Sequence, residues 1–280
     1  MKIGKYTVRA IDAGGLKLDG GAMFGIIPKP LWEKTNPADI SNRVQLSTRV
    51  LYVTYDNRKV LIDTGMGTKW DEKSRNIYGL DNIPSISEKL RQFNVEPDVI
   101  TDVILTHLHF DHAGGAVAME NDKLIPAFRN ARYYVQKENF EWAMNPSDRD
   151  RGSYKKTNFV PLVENGILTL TNPGDFFDDG FQFINIYGHT FAQQLVKFTD
   201  SNKTLVYCGD LIPFSSHIHL PYIMGYDLQP LVTLKEKKEL LSKAADDEWI
   251  LVFEHDPFIA GATVLRTEKG FIIKDKYETI

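Results

Sequence analysis

Apolar and polar residues alternate from the start of the chain. Tyr6-Thr7-Val8-Arg9-Ala10-Ile11 has the period of a half-buried strand, and Arg49-Val50-Leu51-Tyr52-Val53-Thr54-Tyr55 is rich in strand formers. Asp56-Asn57-Arg58-Lys59 reads as a turn into Val60-Leu61-Ile62-Asp63, so the first sixty residues are expected to be β-structure. The period then changes. Ser85 and Glu88 have capping-box spacing ahead of Ile86, Leu90 and Phe93, three apolar residues on one helical face. Short apolar strands are expected over Val99–Leu105 and Ala131–Val135, with a helix around Glu138–Met144. In the second half, Phe181–Tyr187, Gln194–Phe198 and Thr204–Cys208 read as strands, the last two a hairpin around Asp200-Ser201-Asn202-Lys203. A helix from Pro230 to about Ala245 is expected to bury Leu231, Leu234, Leu241 and Ala245, and a strand Trp249–Phe253 follows.

Strands followed by a helix, given twice, predict an α+β fold: an αββα sandwich of two mixed sheets with helices on the outer faces. No Pro-, Gly- or Ser-rich linker divides the chain, so residues 1–280 are expected to form one domain. A doubly wound nucleotide-binding fold would alternate strand and helix from the start, and no Gly-rich phosphate fingerprint follows the first strand.

Composition narrows the function. Of 280 residues, 42% are hydrophobic and 25% charged, which excludes a disordered chain. The formal charge of −4 argues against a nucleic-acid partner. No apolar run approaches membrane-span length and no secretory signal is evident, so neither a membrane partner nor export is expected, and the expected compartment is the cytoplasm. A homodimer is left open. The single Cys208 excludes a thiolate-cluster metal site and, next to Gly209 in an expected buried strand, reads as inert filler.

Five of the seven histidines stand at or just past expected strand ends. His107, His109, Asp111 and His112 form one cluster; His189, Asp210 and His255 each follow a further strand. In an extended segment His107 and His109 point the same way, whereas Asp111 and His112 lie past a change of direction at a helix start. Gly114 and Gly115 allow a tight, closely packed turn there. Five imidazoles and two carboxylates suit two divalent ions with Asp210 between them: zinc first, with manganese, iron, cobalt or nickel also admitted. Two ions sharing a water supply hydroxide near neutral pH for attack on a carbonyl carbon or phosphorus, with Asp111 and Asp210 as proton carriers. No Gly-x-Ser-x-Gly elbow suggests a nucleophilic side chain instead.

The segment Thr106-His107-Leu108-His109-Phe110-Asp111-His112-Ala113-Gly114-Gly115 resembles the signature of the metallo-β-lactamase-fold hydrolase superfamily. Leu61-Ile62-Asp63-Thr64-Gly65, Gly188-His189-Thr190, Gly209-Asp210 and Glu254-His255-Asp256 are similar to its other motifs, in order. The resemblance implies that His107, His109 and His189 hold one metal, that Asp111, His112 and His255 hold the other, and that Asp210 bridges. Asp63 would hydrogen-bond a ligand imidazole and fix its tautomer.

The opening Gly21-Ala22-Met23-Phe24-Gly25 and Pro28-Lys29-Pro30-Leu31-Trp32 resembles the lactonase and organophosphate-hydrolase branch. Two positions depart from it: Pro213 stands where those lactonases carry a substrate-holding tyrosine, and Gln193 where many relatives carry a histidine. Met23, Phe24, Trp32, Trp70 and Tyr78 are candidates for an apolar wall. His217 and His219 are candidates for substrate contact, pointing to one side if their segment is extended. The run Lys235-Glu236-Lys237-Lys238-Glu239 reads as the wet face of the long helix. The expected function is a dinuclear metal-dependent hydrolase whose bridging hydroxide attacks a small-molecule ester, lactone or phosphoester. The alternatives are a thioesterase of the glutathione-conjugate type and a metal-binding scaffold without turnover.

Overall fold

A computed structural model describes residues 1–280 apart from Asn82, Ser201 and Asn202. Its strands form two sheets of seven, each in chain order, and a separate two-stranded ribbon of Val117–Glu120 with Lys123–Pro126. The first runs Lys2–Ile3, Tyr6–Asp19, Arg43–Tyr55, Arg58–Ile62, Asp102–Ile104, Arg132–Gln136 and Leu168–Thr171. The second runs Phe176–Asp178, Phe181–Ile186, Gln193–Asp200, Lys203–Tyr207, Ile250–Val252, Gly261–Thr267 and Gly270–Tyr277. Antiparallel and parallel pairs mix in both. Arg58–Ile62, Asp102–Ile104 and Arg132–Gln136 are mutually parallel, as are Lys203–Tyr207 and Ile250–Val252.

Facing side chains of the two sheets share one apolar layer, with Tyr6, Val53, Ile62 and Ile104 from the first and Phe181, Phe198, Tyr207 and Val252 from the second. The outer face of the first sheet buries Ile86 and Leu90 of the helix Ile86–Gln92, and that of the second buries Leu240, Leu241 and Ala244 of the helix Pro230–Asp246. This is the predicted αββα sandwich. The capping box at Ser85 and Glu88 forms as expected. Phe93, however, caps that helix and is exposed.

Other expectations need correction. The first sixty residues are not all β: short helices Gly20–Phe24 and Lys29–Trp32 interrupt them, the first capped by the Asp19 carboxylate on the Ala22 N–H. The strand expected over Val99–Leu105 is Asp102–Ile104, preceded by a 3-10 turn at Pro97–Val99. The hairpin joining Gln193–Asp200 to Lys203–Tyr207 forms, but Ser201 and Asn202 of its turn lie outside the described residues.

The long helix buries Leu241 and packs Ala245 against the same cluster, as expected, but departs from the expected face in its first half. Leu231 is exposed, while Thr233 and Lys237 are buried. Glu236 accepts the N–H groups of Tyr187 (2.7 Å) and Gly188 (3.0 Å), and Lys237 donates to the carbonyls of His219 (3.1 Å) and Tyr222 (2.5 Å). The run 235–239 is therefore not simply a wet face. Its helix lies over two loops whose backbone groups need partners, and it supplies them.

The ends at Ile62, Ile104, Ile186, Tyr207 and Val252 all open on one edge of the sandwich. The sheets are stitched together there. Gln194 N–H donates to Thr106 (2.9 Å), Ser47 N–H to His255 (3.0 Å) and Arg49 N–H to Glu254 (3.1 Å). Among the described residues, no helix is long and apolar enough to cross a membrane.

Candidate functional site

Each segment that leaves this edge carries part of the site. After Asp102–Ile104 the chain bends at Thr106, is extended at His109 and then enters the short helix Phe110–Ala113. His107 and His109 fall on one side of that turn and Asp111 and His112 on the other, as their spacing predicts. Gly114 and Gly115 allow the turn to pack against the segment 64–67: a Cβ on Gly114 would lie 2.1 Å from the Met66 carbonyl oxygen, and one on Gly115 2.3 Å from that of Thr64. His112 C=O accepts both the N–H and the hydroxyl of Thr64, each at 2.8 Å.

The inner atoms converge. His107 Nε2 and His189 Nε2 lie 3.0 and 3.1 Å from His109 Nδ1, and His189 Nε2 is 2.9 Å from Asp210 Oδ2. On the other side of Asp210, His255 Nε2 is 2.9 Å from Oδ1 and His112 Nε2 3.3 Å from Oδ2. Asp111 stands 3.9 Å from both of these imidazoles. The set divides into two groups, each able to share a cation: His107, His109, His189 and Asp210, and Asp111, His112 and His255. All seven side chains are buried.

Four of the five imidazoles are fixed through the opposite nitrogen. His189 Nδ1 donates to Asp227 (2.9 Å), His255 Nδ1 to the Ser47 carbonyl (2.8 Å) and His112 Nδ1 to Asp63 Oδ2 (3.0 Å). Thr106 Oγ1 gives its proton to Asp63 at 2.7 Å, so it accepts from His107 Nδ1 at 3.1 Å. Asp63 lies in the left-handed region with φ 60°, a strained setting for a residue with a side chain, and from there its carboxylate reaches Thr106 and His112 together.

The electrostatics demand positive charge. With those outer nitrogens protonated, each inner nitrogen is left to take either a cation or a second proton shared with Asp210. Burial and the neighbouring imidazoles push His107 down. Burial opposes protonation of His189 and His255 too, but Asp210 with Asp227 holds His189 up at about 10, and Asp210 with Glu254 holds His255 up at about 9. Against its own burial, Asp210 is held well below the carboxylate range by His189, His112 and His255. His112 Nε2 and Asp210 Oδ1 are buried with only other members of the cluster facing them among the described residues. A donor set of this kind fits divalent cations without thiolate ligands.

Two acids here were not singled out from the sequence. Asp227 lies in an irregular loop with no strand to announce it. Glu254 sits within a quoted motif, fully buried, 3.0 Å from His112 Nδ1, and shares a third potential cation group with Asp63 and His112. Burial and the adjacent Asp63 raise Glu254 to about 7, although His112 pulls the other way.

A cleft of about 410 Å³ opens above the inner atoms. Asp111, His109, His189, Asp210 and His255 reach its floor; Met23 and Tyr78 line its wall. Phe24 and Trp32 do not line it. They stack on each other in the core behind (centroids 5.0 Å), where Gly20 leaves room for the Trp32 ring. Trp70 packs edge-on to Tyr78 and Phe110, outside the lining.

His217 and His219 are not on one side. Ser215–Ile218 is a 3-10 helix, which turns His217 inward and leaves His219 exposed. His217 donates to the Met23 carbonyl (2.9 Å) among Phe24, Phe214 and Tyr222, and neither histidine lines the cleft. Pro213 uses its carbonyl to accept the His255 N–H (3.0 Å). The amide of Gln193 is buried without a partner among the described residues. Cys208 is buried, and that burial raises its thiol pKa, in keeping with an inert side chain.

Comparison with known proteins places this geometry. Residues 44–255 match the model of the metallo-beta-lactamase superfamily. The chain belongs to that superfamily. It is 28% identical over 224 residues to an N-acyl homoserine lactonase of Bacillus thuringiensis, covering 70% of this chain and 76% of the relative. Among solved structures, a probable metal-dependent hydrolase from Staphylococcus aureus superposes with a TM-score of 0.88 at 26% identity, covering 99% of this chain and 100% of that one. The dizinc quorum-quenching lactonase AidC shares the fold, with a TM-score of 0.80 at 19% identity, over 98% of this chain and 96% of that one. These relatives support a hydrolase.

Proposed function

We propose that this chain is a dinuclear metal-dependent hydrolase of small esters and lactones, with phosphoesters as a further candidate class. The observation that carries the reading is the convergence of seven buried donor side chains on the floor of a substrate-sized cleft. His107, His109 and His189 would hold one divalent cation, Asp111, His112 and His255 a second, and Asp210 both. When bound, such cations act as Lewis acids that lower the pKa of water toward neutrality and polarise a carbonyl or phosphoryl oxygen.

The protein's own groups supply the rest. Asp63, Asp227, the Ser47 carbonyl and the Thr106 hydroxyl keep the outer imidazole nitrogens protonated, so the inner lone pairs face the centre. Asp111 and Asp210 both reach the donor cluster and the cleft; Asp210, held well below the carboxylate range, stays ionised between the two groups, so Asp111 is the carboxylate that can take a proton from the attacking water and return it to the departing alkoxide oxygen. Leu18, Met23, Leu46 and Met224 line the cleft and would seat an apolar acyl group while limiting water around it.

Chelation followed by metal add-back tests this reading on a panel of lactones, aryl esters, thioesters and phosphotriesters. Metal-free protein should be inactive, and Zn²⁺ or Mn²⁺ should restore turnover. Asp210→Ala should abolish hydrolysis while removing only part of the metal. Full activity after chelation would sink the proposal; fewer than one ion per chain with no turnover would favour a binding scaffold.

A further inference from the structure

Apart from the histidines of its floor, the cleft has one basic side chain in its lining among the described residues, Arg149. It sits in a run of alternating charge, Asp148-Arg149-Asp150-Arg151, whose other members are engaged nearby. Asp148 pairs with Arg151 at 3.0 Å. The Asp150 carboxylate accepts the Trp142 indole N–H and the Ser147 hydroxyl, both at 2.7 Å. The hydrogen bonds of Arg149 among the described residues come from Nη2 alone, to the carbonyls of Gly225 (2.6 Å) and Asp227 (3.3 Å). They fix the guanidinium against the loop that carries Tyr226 along the same wall. Nε and Nη1 remain as donors, and among the described residues no carboxylate pairs with the guanidinium.

We propose that Arg149 makes this site selective for substrates carrying a carboxylate away from the scissile bond. The inference rests on the hydrolase reading above and narrows its substrate class. Although the residue is exposed, the tether through Nη2 restricts the guanidinium, and its planar fork matches a carboxylate. Arg149 stands beside Met224 and Leu228, and the one carboxylate of that wall, Asp150, is buried and engaged by Trp142 and Ser147, so the guanidinium suits a single negative charge at the end of a short apolar spacer. An uncharged ester would leave Nε and Nη1 of that guanidinium with only water.

The test uses the metal-loaded full chain and two matched esters, p-nitrophenyl hydrogen glutarate and p-nitrophenyl pentanoate. The anionic ester should have a KM lower by about tenfold, the scale of one charge-assisted contact at a partly solvated site. Arg149→Gln should erase that preference and slow both esters, because the clasp on residues 225–227 is lost as well. Arg149→Lys should recover part of the preference. A binding arm needs no turnover: by calorimetry, glutaranilic acid should bind the wild type more tightly than pentananilide, and Arg149→Gln should level the two. Equal KM values in the wild type, or an equal effect of Arg149→Gln on both esters, would overturn the proposal and leave Arg149 as a clasp only. If neither ester is hydrolysed, the ester reading fails separately and the calorimetry still decides whether the cleft selects a carboxylate.

Discussion

The five histidines at the sheet edge and the two in the segment 215–219 are chemically the same residue in opposite situations. Four of the first group donate one nitrogen outward to a carboxylate, carbonyl or hydroxyl and direct the other at a shared centre, and His109 joins them through Nδ1. His217 is just as buried and also donates one nitrogen, to Met23, but its second nitrogen faces an aromatic core and has no partner among the described residues. His219 is exposed. Burial and one fixed nitrogen therefore do not make a ligand. What separates the groups is negative charge: Asp63, Asp111, Asp210, Asp227 and Glu254 stand around the first, whereas burial and nearby Lys237 hold His217 down at about 3, so it stays an uncharged donor.

The sharpest way to break that contrast is to remove a carboxylate that touches an imidazole but cannot itself reach the centre. Asp227→Asn keeps the shape and drops the charge behind His189. Metal affinity, read by competition with a chromophoric chelator, should fall about 10- to 100-fold, the range for loss of a carboxylate behind a ligand histidine. Unchanged affinity and unchanged turnover would mean that His189 needs no such support, and the comparison would lose its physical basis.

How far the sequence foretold this site follows from the range of the interactions. The cluster 107–112 was legible because its geometry is local: two residues per strand repeat and a turn set which side chains share a side. His189, Asp210 and His255 were legible because each follows an apolar strand, and strands that open on one edge bring their ends together. Asp227 was not, since its loop has no periodicity and its place depends on Leu228 N–H reaching His189 C=O and on Arg149. The alternation rule failed for His217 and His219 because their segment coils into a 3-10 turn. The run 235–239 misled for a related reason: Lys237 is buried as the donor to two loop carbonyls, a requirement set by tertiary structure.

Lys237 sharpens the comparison from the opposite sign of charge. Burial lowers it to about 7, and the more distant Asp227 only partly offsets this. The unfolded chain takes up the proton near 10.5, so between about pH 7 and 10.5 it binds more protons than the native state, and native stability rises with pH across that window. The cost is full below pH 7. Relative to Lys237→Met, the wild type should therefore gain stability from pH 6.5 to pH 10, by a few kcal/mol at most, in urea melts at both pH values. A difference between the two proteins that does not change with pH would show that Lys237 keeps an ordinary pKa through its two carbonyl contacts.

The smallest effects should come from the histidines outside the cage. His217→Ala removes a ring packed against Phe24, Phe214 and Tyr222 and leaves the Met23 carbonyl without its donor, so stability should fall by about 1–3 kcal/mol. Its kcat/KM should stay within about threefold of the wild type, because a core defect away from the cleft changes how much protein is folded more than what the folded protein does. His219→Ala should lie within about 0.5 kcal/mol of the wild type in stability, as an exposed side chain does. The informative measurement is kcat/KM per folded molecule, with chemical melts run alongside. A large loss of kcat/KM in His217→Ala without loss of stability would move this imidazole into the working part of the enzyme, and the division drawn from charge and second-nitrogen partners would have to be abandoned.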